Sequence, residues 1–336
     1  MAWRYVNDPP VSAQNTSAAS SPASAPGETR VLRMPPATIL SLSAINVLWA
    51  GTAVAAKVAL DSVSPLTLAF FRFSFAALLM YAVARLIKVD LRVRRSDWGR
   101  FWAMGVIGLA CTYVFTYIGM RYTMASHAAL LIATEPVLLT ILSAIFLREK
   151  MTAAKVGAIA LGLAGVYLIV CNGWIPHGKA GTLIGDGLIA VGLLFEVSAS
   201  IVGKRLVEQY PAVSVMTYEM TIAGIALAPL CVWEMFSPAS HSHIHFHALS
   251  ILALLYLIVP CTVLGYTVWY TILERRDASE MSPFLYIQPV VGAFLGWWLL
   301  GDHISDFTIG GAVLVMVALM TLTTFSGANK AKPLPE

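Results

Sequence analysis

The sequence predicts an all-α membrane protein whose ten transmembrane helices form two inverted five-helix repeats. Two observations lead to this fold class. Apolar residues make up 58% of the chain and charged residues 12%, about half the charged fraction of an average soluble protein. In addition, one stretch of the first half returns in the second half at a fixed offset. Together these features indicate a membrane-spanning unit that was duplicated.

A transmembrane helix needs roughly 20 predominantly apolar residues to cross the hydrocarbon core. Ten stretches of the chain meet this requirement, five in each half. The predicted spans are 37–58, 66–87, 99–119, 125–147, 152–172, 184–206, 213–235, 248–271, 279–300 and 305–325.

The internal repeat relates Tyr113–Val170 to Tyr266–Thr323, 153 residues later and without a gap. Ten of the 58 aligned positions are identical, and they include tyrosines, a proline and a glycine at the starts of predicted helices. Because five spans is an odd number, the second copy enters the membrane from the opposite side. Inverted repeats of this kind are typical of secondary transporters.

The distribution of cationic residues predicts the orientation. With the N-terminus in the cytoplasm, 18 of the 22 Lys and Arg residues lie in cytoplasmic segments, and the exceptions are Lys57, Arg72, Arg121 and Lys179. This bias favours two cytoplasmic termini in the cell's inner (cytoplasmic) membrane. The same bias explains the net charge of +4, so we expect the lipid bilayer and no nucleic acid as a partner.

Composition also predicts the division of the chain. Residues 1–36 are rich in Ala, Ser and Pro and are expected to be a disordered cytoplasmic tail. The two five-helix repeats are expected at 37–172 and 184–325, followed by a short cytoplasmic tail at 326–336.

Several function classes are excluded by what the loops lack. The connections are too short for a soluble catalytic domain, and no phosphate-binding glycine loop, GxSxG or HExxH motif is present. We therefore expect no enzyme, no cofactor and no ATP-driven pump. The four cysteines match neither a metal site nor a redox motif and are expected to be packing residues.

The order of short motifs in both halves resembles the EamA-type branch of the drug/metabolite transporter superfamily. The resemblance implies two inverted EamA-like repeats around a central cavity, with the fifth and tenth helices outside the core, and export of small metabolites, amino acids among them. The sixth span departs from the family pattern because Glu196 replaces a Trp-containing stretch. The motifs are Leu48-Trp49-Ala50-Gly51, Lys57, Ser64-Pro65, Arg72, Tyr122-Thr123-Met124-Ala125-Ser126, Glu135-Pro136, Leu147-Arg148-Glu149-Lys150, Gly157, Gly162 and Gly165, then Ala278-Ser279, Gln288-Pro289, Leu300-Gly301-Asp302 and Gly310-Gly311.

Glu135 is the strongest candidate site residue, because it lies near the middle of a predicted span. A carboxyl group at that depth costs about 2.5–3.5 kcal/mol on insertion scales. It is expected to bind a substrate amine or to carry a proton, and the alternative is a protonated Glu that bonds a neighbouring helix. Gln288 is the equivalent residue in the second repeat and is expected to contact the substrate, since its amide both donates and accepts hydrogen bonds. Pro136 and Pro289, which follow these residues, are predicted hinges, with static kinks as the alternative.

Other polar residues inside spans are candidates for the same cavity. Arg72 is expected to pair with an acid or to bind a substrate carboxylate, and Glu196 and Glu219 are its possible partners or cavity residues. His127 is a candidate proton relay or an interfacial histidine. Lys57 is expected to extend towards water.

An aromatic wall is predicted from tyrosine pairs four residues apart on two repeat-equivalent helices. Such a wall suits a small, partly apolar solute or an ammonium group, and an interfacial aromatic belt is the alternative. The set comprises Trp49, Tyr113, Tyr117, Tyr122, Tyr266, Trp269 and Tyr270.

Two further sequence patterns are less specific indications of function. His241, His243, His245 and His247 alternate in one loop, but they lack acidic neighbours, so no metal is expected. The glycines Gly157, Gly162, Gly165, Gly310 and Gly311 permit close helix contact, either within the bundle or at the seam of a homodimer.

These observations predict a secondary-active transporter that exports a small organic metabolite, an amino acid or a related amine, by alternating access. Three other readings stay open from the sequence. They are a lipid or lipid-linked-sugar flippase, an intramembrane enzyme built on His127 and Glu135, and a passive channel.

Overall fold

The computed structural model describes residues 35–146, 152–171, 180–207, 209–237, 247–273, 281, 284–285 and 287–328. All regular secondary structure within these residues is helical. The predicted N-terminal tail, His241, His243, His245 and Lys179 lie outside the described residues.

The described helices follow the predicted spans closely. Seven of them are long and apolar enough to cross a membrane, and two shorter apolar helices lie in the last part of the chain. The helices described below are α1 (Pro36–Leu60), α2 (Pro65–Leu86), α3 (Arg95–Tyr122), α4 (Ala125–Ile132), α5 (Glu135–Phe146), α6 (Ala153–Cys171), α7 (Ala180–Val207), α8 (Ala212–Phe236), α9 (Ala248–Ile272), α10 (Ile287–Leu300) and α11 (Asp306–Ala328). The protein is therefore a multi-pass, all-α membrane protein.

The fourth predicted span is divided into two helices. α4 ends at Ile132, and α5 begins at Glu135 after a two-residue turn. Pro136 explains the position of this break, since proline has no N–H to donate to the carbonyl four residues back, which belongs to Ile132. Pro289 likewise lies in the first turn of α10. Both prolines were predicted to lie in mid-helix. They instead occupy the first turn, where their missing N–H is tolerated.

Two repeat-equivalent helices share an unusual local geometry. Residues Ala103–Cys111 of α3 and Leu257–Leu264 of α9 form π-helical turns. The last residues of the two segments are separated by 153 positions, the offset of the sequence repeat. π-Helical insertions are uncommon and often mark functional sites. In each helix a predicted site tyrosine follows the π segment within two residues.

α2 and α8 are the second and seventh predicted spans, and they run antiparallel. Glu234, near the end of α8, accepts hydrogen bonds from Ser64 Oγ (2.5 Å) and the Thr67 backbone N–H (2.8 Å) at the start of α2. At the opposite end, Ser214 in the first turn of α8 donates to the carbonyl of Asp90, just after α2. The carboxylate of Glu234 thereby satisfies backbone donors that the first turn of α2 leaves unpaired.

Glycines permit close antiparallel contact between α6 and α11, the fifth and tenth spans. A Cβ atom placed on Gly165 would lie 2.7 Å from the Gly311 carbonyl, and one on Gly311 would lie 2.6 Å from the Gly165 carbonyl. Gly162 packs against Val137 in the same region. These three glycines therefore face the chain's own helices. Their contacts correspond to packing within the bundle, one of the two predicted alternatives.

Candidate functional site

Arg72 lies in the interior of the bundle with 2% of its surface exposed. Its Nη1 donates to Tyr117 Oη on α3 (2.6 Å), and its Nε donates to Thr262 Oγ1 on α9 (3.1 Å). The guanidinium also lies 4.8 Å from the ring centroid of Tyr113, a distance typical of cation–π contact. Three helices therefore meet at this cation. Sequence reasoning missed Thr262, whose hydroxyl is polar but common in membrane helices.

Three carboxyl groups lie near one another in the bundle, and one of them, Glu196, lies near Arg72. Glu196 on α7 is within electrostatic range of Glu135, Glu219 and Arg72. All three acids are partly exposed, although each belongs to an apolar helix. Within the described residues, neither Glu135 nor Glu219 receives a hydrogen bond. Since unpaired carboxyl groups are costly inside a membrane protein, these two are candidates for contact with a solute or a proton.

Small residues of α3 allow the acid-bearing helices to approach. A Cβ on Gly108 would lie 2.4 Å from the Cβ of Ala199 on α7 and 4.0 Å from Glu219 Oε1 on α8. A Cβ on Gly105 would lie 2.9 Å from the Glu219 carbonyl. Both glycines belong to the π segment of α3, so this segment brings the acids of α7 and α8 towards the tyrosines of α3.

The predicted aromatic residues form a continuous group across α1, α3 and α9. The Trp49 ring centroid lies 5.4 Å from that of Tyr266 and 5.5 Å from that of Trp269. The side chains of Tyr113 and Tyr266, which are equivalent in the repeat, lie within electrostatic range of each other. Tyr270 continues the wall beside Tyr266, with ring centroids 6.3 Å apart, and lies within electrostatic range of all three acids.

Two members of the predicted aromatic set have other positions. Tyr117 is fully buried, with its hydroxyl accepting from Arg72, so it supports the cation and is closed to solute in this conformation. Tyr122 is 54% exposed at the end of α3, away from the acids.

Gln288 forms a hydrogen bond with a neighbouring helix. Its Nε2 donates to Asn46 Oδ1 on α1 (2.7 Å), and Asn46 itself is fully buried. The Asn46 side chain also donates to the Leu42 carbonyl. Gln288 thus joins α10 to α1. Asn46 was missed from the sequence, although a lone amide in an apolar span is a detectable signal.

His127 and Lys57 lie at the same end of the bundle, where α1 and α3 end and α4 and α7 begin. His127 Nδ1 lies 3.4 Å from Asp186 Oδ2 on α7. Lys57 donates to the carbonyls of Met120 and Thr123, both at 2.6 Å. Lys57 therefore caps the end of α3. The prediction that its side chain extends towards water was wrong.

A bundle of apolar helices that holds one arginine and three carboxyl groups together in its interior is the arrangement expected of a membrane transporter. Residues 37–171 and 183–324 match the model of the EamA-like transporter family. The chain belongs to this family and is a multi-pass membrane transporter.

Curated relatives cover most of the chain. An uncharacterized transporter of Archaeoglobus fulgidus is 28% identical over 85% of this chain and 97% of its own length. A probable amino-acid metabolite efflux pump of Escherichia coli is 26% identical over 82% of this chain and 91% of its own. An S-adenosylmethionine/S-adenosylhomocysteine transporter of Chlamydia muridarum is 26% identical over 80% and 86%. One protein of known crystal structure superposes with a TM-score of 0.61 at 18% identity, covering 89% of this chain and 100% of its own.

Proposed function

We propose that the protein has ten transmembrane helices in two inverted repeats, 37–172 and 184–325, with both termini in the cytoplasm and the chain in the inner membrane. The antiparallel course of α2 and α8, and of α6 and α11, supports the inversion, because each pair joins equivalent spans of the two repeats. The matched π segments support the duplication. In this arrangement α4 and α5 together form one discontinuous span, a feature typical of transporters.

We further propose that the protein exports a small organic metabolite that carries an amine, an amino acid or a related compound, by alternating access. One observation carries this proposal. Glu135 and Glu219 receive no hydrogen bond among the described residues and lie within electrostatic range of Tyr270 and of Glu196, which in turn lies within range of the buried Arg72. Carboxyl groups and aromatic faces both attract an ammonium group. The efflux-pump relative of Escherichia coli is consistent with this class of solute.

Each site residue has a role in the proposal. Glu135 binds the substrate amine or a proton that moves in the opposite direction, while Arg72 holds the tyrosines and limits the negative charge of the pocket. Trp49, Tyr266, Trp269 and Tyr270 shape the apolar part of the site. Helix starts at Pro136 and Pro289 are the points about which the repeats bend, and the bond from Gln288 to Asn46 holds α10 against α1.

The proposal is tested on purified full-length protein. A thermal-shift screen of amino acids, their amides and simple amines identifies stabilising solutes, and each hit is followed by counterflow in liposomes. Saturable flux that internal solute stimulates is expected for an amine-bearing compound. Flux that does not saturate would show a passive channel, and stabilisation solely by solutes without an amine would refute the substrate class.

A second candidate, a lipid or lipid-linked-sugar flippase, is favoured by one observation. A lateral groove of about 320 Å³ runs between α2 and α8 and is lined mainly by apolar side chains. However, Glu135, Glu196 and Glu219 are absent from its lining. Competition of the counterflow signal by a lipid-linked sugar, with no competition by amino acids, would favour the flippase.

A further inference from the structure

The His127 and Asp186 pair is unlike the other polar contacts of the bundle, because one of its atoms is left without a partner. His127 is 2% exposed and Asp186 is 1% exposed. Asp186 Oδ1 accepts from Thr123 Oγ1 (2.5 Å), and Asp186 Oδ2 faces His127 Nδ1 at 3.4 Å. Among the described residues, the buried atoms that lack a hydrogen-bond partner are His127 Nε2 and the neighbouring Ser126 Oγ.

This geometry defines the protonation state of His127 in the observed conformation. A carboxylate accepts hydrogen bonds, so Nδ1, which faces it, carries the hydrogen of the neutral ring. Nε2 then has a bare lone pair. If Nε2 were protonated here, a charged donor would be buried without an acceptor, which is strongly unfavourable. The closed arrangement of α4 against α7 therefore holds neutral His127.

We propose that His127, paired with Asp186, binds a proton during the transport cycle at a site separate from Glu135 and the substrate site, and that proton binding favours the conformation in which α4 and α7 separate. The proposal rests on the proposed function. Separation admits water to Nε2 and Ser126 Oγ, while Asp186 stays beside the imidazolium that forms. A proton can shift the conformational equilibrium in this way because it binds the two conformations with different affinity.

Position supports separate sites. His127 lies in the first turn of α4 and Glu135 is the first residue of α5, so the rest of α4 and the turn after it separate the two residues along the chain. The pair also joins α4 of the first repeat to α7 of the second, so it must change when the repeats move against each other. In the proposed orientation it lies at the outer end of the molecule.

The other charged groups at this end are engaged or exposed. Lys57 donates to the end of α3, and Asp302 accepts from the Ser126 backbone N–H (2.8 Å). Asp61 and Arg121, near Lys57, are exposed. Among these groups, His127 is the one that is both buried and left with an unpartnered side-chain nitrogen within the described residues. The exposed His303, next to Asp302, provides a matched control.

Two measurements test the proposal without any substrate. The full chain, with ¹⁵N-labelled imidazoles, is reconstituted in liposomes and titrated between about pH 8 and pH 5 by solid-state NMR. The signal that is missing in H127Q should show a bare Nε2 at high pH and an imidazolium at low pH. Hydrogen exchange, corrected for intrinsic rates, should become faster at low pH in the first turns of α4 and α7, by on the order of tenfold for a typical coupling.

The variants decide between outcomes. H127Q and D186N should lose the pH-dependent exchange, and H303Q should retain it. If H127Q does not fold, the pH dependence of hydrogen exchange in D186N tests the proposal. A protonated Nε2 at high pH, or wild-type pH dependence of exchange in H127Q or D186N, would overturn the proposal. Failure to find any transported solute would count against the proposed function and leave these two results unaffected.

Discussion

Arg72 shows how a membrane protein can hold a cation in its interior. The charge is shared among a tyrosine hydroxyl, a threonine hydroxyl and an aromatic face, and Glu196 lies within electrostatic range. This environment is common to structural and functional arginines. Substitution is therefore needed to separate support of the fold from contact with a solute.

We expect R72M to lower stability by about 3–5 kcal/mol, because it removes the cation from a buried network and leaves its partners unpaired. R72K, which keeps the charge, should lose less. Adding E196Q to R72M should recover part of the loss, since one uncompensated carboxyl group is removed. Unfolding of the purified variants in mixed detergent measures these differences. Equal stability of R72M and the wild type would show that the network is dispensable.

The neutral mimic at Glu135 tests the proton and amine roles together. E135Q should fold like the wild type and should weaken the pH dependence of solute counterflow, because an amide cannot exchange a proton. E219Q is measured in parallel, because it removes the other carboxyl group that receives no hydrogen bond among the described residues and so separates the contribution of Glu135 from that of Glu219. If E135Q retains the wild-type pH profile, Glu135 has no part in proton coupling.

At the scale of helices, two kinds of contact position the site. Glycines bring α3 close to α7 and α6 close to α11, and carboxylates satisfy the first turns of α2 and α4. Both kinds connect the first repeat with the second. They are therefore the contacts that any relative movement of the repeats must retain or break.

The glycine contact between α6 and α11 leads to a substitution pair with opposite outcomes. G165A should destabilise the protein by about 1–3 kcal/mol, because its Cβ would overlap a backbone carbonyl of α11 that cannot move alone. G157A, on the same helix, meets no atom within 4 Å and should have little effect. Thermal unfolding of the two variants compares them directly. Similar stabilities of the two variants would show that the close contact at Gly165 does not limit the stability of this helix pair.

The cap of α2 should also be measurable. E234Q keeps the shape of the side chain but removes the charge that accepts from Ser64 and Thr67, and a loss of about 1–3 kcal/mol is expected for such charge-assisted bonds. The exposed Asp306 provides a control as D306N. A stability of E234Q equal to that of D306N would show that the bonds from Ser64 and Thr67 to Glu234 contribute little to stability.

At the scale of the whole molecule, the proposed transport mechanism depends on the opposite orientation of the two repeats. Asp61 lies between the first and second spans, and Gln209 lies between the sixth and seventh, so the two positions are equivalent in the repeats and both are exposed. In the proposed topology they lie on opposite sides of the membrane.

Single cysteines test this topology in a background without the native cysteines. D61C should react with a membrane-impermeant maleimide in intact cells, and Q209C should react only after permeabilisation. Reaction of both from the same side would contradict the inverted arrangement. Reaction with the sides exchanged would keep the inversion and reverse the orientation.

Much of the fold could be predicted because the bilayer restricts the choices. Helices are the only way for such apolar segments to satisfy their backbone in lipid, so span positions follow from composition, and the duplication follows from identities at a constant offset. The division between α4 and α5 was not predicted, although Pro136 marks its position, because proline inside a membrane helix can also produce a continuous kinked helix.

The candidate site was predicted only as a list of residues. Glu135, Arg72, Glu196 and the tyrosines could be named because charged and hydroxyl groups are rare and costly in a span. Their partners could not be named. Thr262 contacts Arg72 across 190 positions of the chain, and Gln288 contacts Asn46 across 242, distances over which a single sequence contains no pairing signal.

The amino-acid sequence by itself determined that this chain is a duplicated set of membrane helices with charges in its interior, since burial in lipid imposes a pattern that composition reveals. Only the tertiary structure decided which of those charges are paired. It placed Asp186 beside His127, directed Gln288 to Asn46 and left Glu135 and Glu219 without a hydrogen bond among the described residues. Such pairings depend on how helices from opposite repeats approach each other, and that approach is governed by glycines and π segments whose effect appears only when the helices pack.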